Sequence, residues 1–236
     1  MAASSSRACT GFGIALVEQG VGCKRSGGPV SAQAAASPGR RRALGALGAI
    51  VAGLGLSACD RFGPAAFKAI DITGADYARE LTLPDIDGRV RTLGEFKGKA
   101  VVVFFGFTHC PDVCPTTLVE LAAVKRALGA DGDRVQGIFV TVDPERDTAE
   151  VLRAYVGNFD PGFIALRGSV EATAAMARQF KVFYAKVPGK TADSYTVDHT
   201  AGSYVFDPQG RVRLFTRHGT GSDALVHDLK ILLAGR

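Results

Sequence analysis

The chain has 236 residues, of which 47% are hydrophobic and 22% are charged, as in ordinary globular proteins. This composition excludes a disordered, collagen-like or disulfide-rich chain. The net charge of +5 belongs to residues 1–59, because the remaining residues carry 22 basic and 22 acidic side chains. The basic balance therefore gives no support to a nucleic-acid-binding function.

Residues 1–59 are predicted to be an export signal. Three arginines at 40–42 precede an uncharged stretch over 43–58 that ends in small residues, and this order is typical of such signals. The stretch is shorter than the ~20 residues that a membrane-spanning helix needs. It closes on LSAC, which resembles the bacterial lipobox, so we expect Cys59 to be lipidated. A plain signal peptide and an uncleaved anchor are the alternatives, and the arginines also allow the twin-arginine route.

Beyond a predicted tether over 60–78, the domain over 79–236 keeps two cysteines, Cys110 and Cys114. An exported bacterial protein meets an oxidising periplasm, where exposed thiol pairs form disulfides unless a metal or a reductant holds them. A disulfide across so short a loop would remove little entropy from the unfolded chain. The pair is therefore predicted to have a chemical rather than a structural role.

The predicted domain alternates strands with helices after an N-terminal β-hairpin, 80–93, that turns at Asp87-Gly88. The elements that follow are a buried strand (98–107), a helix beginning at Pro115, a strand (134–143), a helix (147–158) with Asp147 as N-cap, a strand (163–168), a helix (169–180), an extended segment (181–187), a polar loop (188–201), a hairpin (203–216) and a helix (222–234). This order predicts an α/β protein with a central mixed sheet and helices on both faces, the thioredoxin-like layout. GxGxxG and GxxxxGK[ST] motifs are absent from the sequence, so nucleotide chemistry is not indicated.

The segment GFTHCPDVCP stands where a strand ends and a helix begins, the edge at which α/β proteins bind ligands. Cys110 and Cys114 are four residues apart, so a helix places both on one face. The N-terminus of a helix also favours thiolates. Two such thiolates suit copper(I) or zinc, and they equally suit a reversible disulfide.

A third metal ligand is expected among the four histidines of the chain. His199 is the best placed, because it precedes the penultimate strand, in a loop that a thioredoxin-like sheet brings beside the first helix. His109 adjoins the first cysteine and is a ligand, a modulator of the thiol pKa, or a surface residue. His218 and His227 are predicted to be surface or packing residues. Asp198 either accepts a hydrogen bond from the His199 ring or is a surface charge.

Three segments in the same order, GFTHCPDVCP, TVDPERDTAEVLRAYV (141–156) and DHTAGSYVFDPQG (198–210), together resemble the Sco/SenC family of copper proteins. The similarity covers most of 80–236. The sequence departs from the family pattern at Ala149, where relatives often have proline. It also offers a lipidated cysteine where many members keep a transmembrane helix. Neither departure touches the cysteines or the histidine.

The resemblance implies a thioredoxin-like fold and a copper site, Cu(I) or Cu(II), made by Cys110, Cys114 and His199. It implies delivery of copper to the binuclear centre of cytochrome c oxidase subunit II, with an upstream copper donor and a thiol reductant as further partners. The alternative is a thiol-disulfide reductase that keeps the cysteines of that centre reduced. Membrane anchoring outside the cytoplasm is typical of the family. We therefore expect a protein held by Cys59 on the periplasmic side of the bacterial inner membrane, or by an uncleaved transmembrane anchor.

Two other classes of thiol protein fit the sequence less well. A thioredoxin-type oxidoreductase has CxxC and a proline before the penultimate strand, whereas this chain has Ala201-Gly202 at that place. A thiol peroxidase usually has threonine three residues before its reactive cysteine, where this chain has Phe107. We therefore expect copper transfer by ligand exchange, without enzymatic turnover. Asp112, Asp143 and Arg146 are predicted to cap loops and to form a surface ion pair, and orienting an acceptor is the alternative role.

Overall fold

A computed structural model describes residues 66–191 and 194–236, and the predicted export signal with Cys59 lies outside them. The strands are β1 (Ile70–Asp71), β2 (Thr82–Pro84), β3 (Val90–Thr92), β4 (Ala100–Gly106), β5 (Val135–Thr141), β6 (Ile164–Leu166), β7 (Tyr184–Pro188), β8 (Tyr195–His199), β9 (Gly202–Phe206) and β10 (Val212–Arg217). The helices are α1 (Val113–Ala127), α2 (Ala149–Gly157), α3 (Val170–Gln179) and α4 (Ser222–Leu233), with short 3-10 helices at Leu93–Phe96 and Gly129–Arg134.

A six-stranded sheet in the order β1-β10-β9-β4-β5-β6 forms the centre of the domain. β4 pairs in parallel with β5 and antiparallel with β9, so the sheet is mixed, as predicted. All seven residues of β4 are buried, because its β-branched and aromatic side chains alternate between two apolar layers. The thioredoxin-like α/β fold is thus confirmed.

Helices cover both faces of this sheet. Val102 and Phe104 of β4 pack in one layer with α1, α2 and α4, whereas Val103 and Phe105 pack in the other layer with α3. Such two-sided burial is what a continuous hydrophobic strand predicts. The N-terminal hairpin is also present, as the pair β2–β3.

The described part of the predicted tether packs on the domain. Ile70 in β1 pairs with Phe215 in β10. The backbone N–H groups of Lys68 and Ala69 donate to the buried carboxylate of Asp228, at 2.9 and 2.8 Å. A buried carboxylate needs such donors, so this segment supplies hydrogen bonds as well as a strand. Within the described residues, the structure contains no helix that is both long and apolar enough to span a bilayer.

Two local predictions require correction. The polar loop predicted over 188–201 contains β8, which pairs with β7 to form a separate two-stranded sheet. Residues 195, 197 and 199 alternate with exposed neighbours, and this period of two was a usable strand signal. The N-cap of α2 is Thr148, whose hydroxyl accepts from Val151 N–H at 3.3 Å, whereas Asp147 is buried elsewhere.

Candidate metal centre

The direction of β9 explains how the cysteines and the histidine meet. β4 ends at Gly106 and is followed by the cysteine loop and α1, which begins at Val113. β9 runs antiparallel to β4, with Ser203 opposite Phe104, so the residues just before β9 reach the edge where β4 ends. His199 lies there, although it is 85 residues from Cys114 in the sequence.

The structure brings Cys110, Cys114 and His199 together, with their ligand atoms within 4.8 Å of one another. Cys114 Sγ is 3.6 Å from His199 Nε2. His199 Nδ1 is 3.1 Å from the carbonyl oxygen of Thr200, a contact that orients the ring and directs Nε2 at the sulfurs. In the part of the chain that the structure describes, this is the one group of three or more histidine, cysteine, aspartate or glutamate side chains that could hold a metal ion.

The two cysteines are free thiols in unlike surroundings, since Cys114 is buried and Cys110 is half-buried. The pKa of Cys110 lies far below its usual value of 9.0, because Cys114 donates its S–H to the Cys110 sulfur. Backbone N–H groups at the start of α1 and the His199 ring act in the same direction. The pKa of Cys114 is raised, because ionisation would end that donation and its sulfur is buried. Of the two thiols, Cys110 is therefore the one that ionises more readily.

Two features fix the sulfurs in place. A Cβ on Gly106 would lie 2.5 Å from Cys114 Sγ, so the absence of a side chain there makes room for the thiol. Asp147, which sequence reasoning placed at a helix cap, is fully buried and accepts hydrogen bonds from the Thr108 hydroxyl at 2.6 Å and from the Thr141 hydroxyl at 2.5 Å. This carboxylate holds the cysteine loop to the end of β5.

The other predicted histidines do not join the group. His109 is 56% exposed and its Nδ1 contacts the Thr108 hydroxyl at 3.2 Å. His218 lines a cleft beside the centre, together with Cys114. His227 Nδ1 forms a hydrogen bond with the Asp228 carboxylate at 2.8 Å. His218 and His227 both lie outside the group formed by Cys110, Cys114 and His199.

The predicted acidic and basic residues around the site have other roles. Asp198 is exposed, and the ring nitrogen of His199 is held by a backbone carbonyl instead. Asp112 precedes α1 and accepts from the Thr116 hydroxyl at 3.3 Å. The ion pair between Asp143 and Arg146 is present. It is not a surface pair, because the carboxylate is buried.

The donor set can hold a soft metal ion. Two sulfurs and one imidazole nitrogen are ligands that copper(I) accepts readily, and zinc prefers a fourth. The depressed pKa of Cys110 reduces the proton loss that metal binding requires. The fold and these donors define a thioredoxin-like protein with a potential copper site at the edge of its sheet.

Comparisons with known proteins identify the family. The SCO1/SenC model matches residues 71–234. The mitochondrial SCO2 homolog of Bos taurus is 42% identical over 139 residues, which are 58% of this chain and 51% of that protein. An SCO2-like protein of Rickettsia prowazekii is 38% identical over 130 residues, or 55% of this chain and 63% of that protein. The chain belongs to the SCO1/SenC family, and it spans about half of the length of the curated relatives it matches first.

Solved structures agree with this assignment. Bradyrhizobium japonicum ScoI with copper bound superposes with a TM-score of 0.59 at 41% identity, over 65% of this chain and 97% of that one. Apo Sco1 from Thermus thermophilus gives a TM-score of 0.62 at 39% identity, over 71% and 97%. A SCO1/SenC family lipoprotein from Bacillus anthracis shares the fold, with a TM-score of 0.56 at 24% identity, over 67% and 98%.

Proposed function

We propose that this protein is a copper chaperone, with Cys110, Cys114 and His199 as its copper ligands and cytochrome c oxidase subunit II as its acceptor. The observation that carries the proposal is the convergence of two thiols and an imidazole within 4.8 Å, in a family with a copper-bound member 41% identical to this chain. A solved relative of the same fold is described as belonging to the Sco family of cytochrome c oxidase assembly proteins.

Copper is the cargo of this reaction. The thiolate of Cys110 and Nε2 of His199 bind the ion directly, while Cys114 loses its proton on binding. Three protein ligands leave room for an incoming thiolate of the acceptor, which takes the ion as the protein ligands leave one after another. The three side chains are chemically unchanged after transfer, because ligand exchange forms and breaks only bonds to the metal.

The depressed pKa of Cys110 supports a second candidate function, reduction of the acceptor's disulfide. The Cys110 thiolate attacks one acceptor sulfur to give a mixed disulfide and release an acceptor thiolate. Cys114 then attacks Cys110, which forms the disulfide of this protein and frees the second acceptor thiol. The acceptor gains two electrons and two protons in total, and a thiol reductant must return the pair to its dithiol form.

A pair of histidine variants separates the two functions. His199→Ala should weaken copper binding strongly and leave the disulfide exchange of Cys110 and Cys114 nearly intact, because dithiol chemistry needs only two sulfurs. His109→Ala is the matched control and should bind copper like the wild type. Copper affinity is measured by competition with a chelator, and exchange by the midpoint potential of the thiol pair. Equal copper affinity in both variants would refute the proposed ligand set.

We propose further that Cys59 is lipidated and holds the domain at the periplasmic side of the inner membrane. The LSAC sequence after an uncharged stretch supports this location, as does the lipoprotein that shares the fold. Mass spectrometry of the membrane fraction should find an N-terminus at Cys59 that carries acyl chains. A chain that retains residues 1–59 would indicate an uncleaved anchor instead.

A further inference from the structure

His199 reaches the candidate metal centre on a hairpin that is separate from the main sheet. β7 and β8 pair only with each other among the described strands. Near His199 the chain is tied to the main sheet, because Ala201 O accepts from His218 N–H and β9 begins at Gly202. Within the described residues, no such bond ties the Tyr195 end of the hairpin to the loop after β5. Contacts made by side chains hold that end of the hairpin, and they add to what β9 contributes to the position of the imidazole at the sulfurs.

Tyr195, at the start of β8, makes the main polar contacts between the hairpin and the loop after β5. The guanidinium of Arg146 lies over the Tyr195 ring, 3.6 Å from its centroid. The same guanidinium donates a hydrogen bond to the Tyr195 carbonyl oxygen at 2.8 Å. The Tyr195 hydroxyl donates to the Asp143 carboxylate at 2.8 Å, and Asp143 also pairs with Arg146. We call these three residues the tyrosine clamp.

Burial makes the tyrosine clamp stronger than a surface ion pair. Asp143 is 1% exposed, and exposed pairs contribute little because water screens them. The neighbouring pair of Lys186 and Glu145 is such an exposed contact. Loss of Arg146 would leave the Asp143 carboxylate buried without its cation, which is far more costly than loss of an exposed charge.

The clamp also touches the ring that packs on the ligand. The Arg146 guanidinium lies 5.9 Å from the centroid of the buried Phe107 ring. Phe107 in turn packs edge-to-face with the His199 imidazole, at 6.0 Å between ring centroids. Arg146 thus supports His199 along two routes, through the strand that carries it and through the aromatic side chain beside it.

We propose that Arg146 is a positioning residue that, through the tyrosine clamp, keeps the His199 imidazole at the two sulfurs. The proposal rests on the proposed copper function and adds to it a residue that does not contact the metal. Without Arg146, Tyr195 loses the stacked guanidinium and the hydrogen bond to its carbonyl oxygen, and the imidazole spends less time at the site. Copper would then be held by two sulfurs alone, and competing thiols would remove it more readily.

The test compares four variants of the full chain. Arg146→Gln should lower copper affinity about 10- to 100-fold, the range seen when a residue that orients a metal ligand is removed. Arg146→Lys should show a smaller loss, because lysine keeps the charge beside Asp143 but cannot stack and donate as a planar group. Tyr195→Phe keeps the ring and loses only the hydroxyl contact. Arg153→Gln removes an exposed arginine on α2 and should have no effect.

Two readouts separate positioning from general damage. Nitrogen splitting in the electron paramagnetic resonance spectrum of the Cu(II)-loaded protein should weaken in Arg146→Gln, since it reports the imidazole. The midpoint potential of the thiol pair should remain that of the wild type. Unchanged affinity and nitrogen splitting in Arg146→Gln would overturn the proposal.

The variants also distinguish this proposal from the proposed function. If His199→Ala weakens copper binding and Arg146→Gln does not, only the positioning role is wrong. If His199→Ala binds copper like the wild type, the ligand set itself is wrong. Should Arg146→Gln fail to fold, Arg146→Lys and Tyr195→Phe decide the matter, because intact copper affinity in both contradicts the proposal.

Discussion

A single methyl group at Gly106 should damage the candidate metal centre more than its effect on stability would suggest. In Gly106→Ala the new Cβ would lie 2.5 Å from Cys114 Sγ and 2.9 Å from a ring carbon of Phe139. Normal contact needs ~3.5 Å, so the sulfur has to move by about 1 Å. Metal–ligand distances normally fall within about 0.2 Å of their standard values, so a shift of this size should lower copper affinity about 10- to 100-fold, as loss of a ligand's supporting partner does.

Gly137→Ala provides the matched control. Its Cβ would meet the Phe163 ring at 2.6 Å and Leu121 at 2.9 Å, in the next strand and away from the thiols. Overpacking of this kind should lower the free energy of unfolding by about 1–3 kcal/mol in both variants. Urea denaturation measures that cost, and chelator competition measures copper affinity of the folded protein. Copper affinities that are equal in the two variants would refute the claim that Gly106 sets the sulfur position.

Three further predictions concern the thiols and the core. Because the pKa of Cys110 is lowered, iodoacetamide should still alkylate it as pH falls from ~9 to ~6, while Cys114 stays unmodified. Peptide mass spectrometry measures both reactions. Alkylation of Cys110 that falls steeply over this pH range would contradict the prediction. Asp228→Ala should lower the free energy of unfolding by about 2–3 kcal/mol in urea, since Lys68 and Ala69 N–H lose a charged acceptor. Thr173→Val should raise the free energy of unfolding by about 1 kcal/mol, because the buried Thr173 hydroxyl has no hydrogen-bond partner. A decrease would mean that the hydroxyl does form a hydrogen bond.

The sequence predicts the parts of the fold that depend on local pattern. The buried run of β4 and the apolar stripe of α1 follow from hydrophobic spacing alone. β8 was missed because its alternation includes Tyr195 and His199, whose polarity made the segment look like a loop. Its partner strand and its burial come from the fold, which brings Tyr195 to Asp143 across 52 residues.

The convergence of the three side chains at the candidate site could be predicted from the sequence, but the residues that support them could not. Cys110 and Cys114 stand four residues apart, and a sheet with an antiparallel β9 brings His199 to them, so pattern and topology suffice. Nothing local distinguishes Asp147 as a buried acceptor from Asp147 as a helix cap, since both roles suit an aspartate before a helix. Which role it takes depends on Thr108 and Thr141, contacts that exist only once the sheet has formed.

The unequal burial of the two sulfurs gives exchange at this site an order. Cys114 is fully buried, whereas Cys110 is half-buried, so an arriving thiolate of any partner meets Cys110 first. Thiol exchange is governed by access as well as by thiolate content, and both properties favour the same residue. Incoming copper would therefore bind Cys110 first and Cys114 last. Outgoing copper would leave past Cys110, with Cys114 as the last sulfur to release it. The half-buried sulfur of Cys110 would thus be both the entrance and the exit of the site.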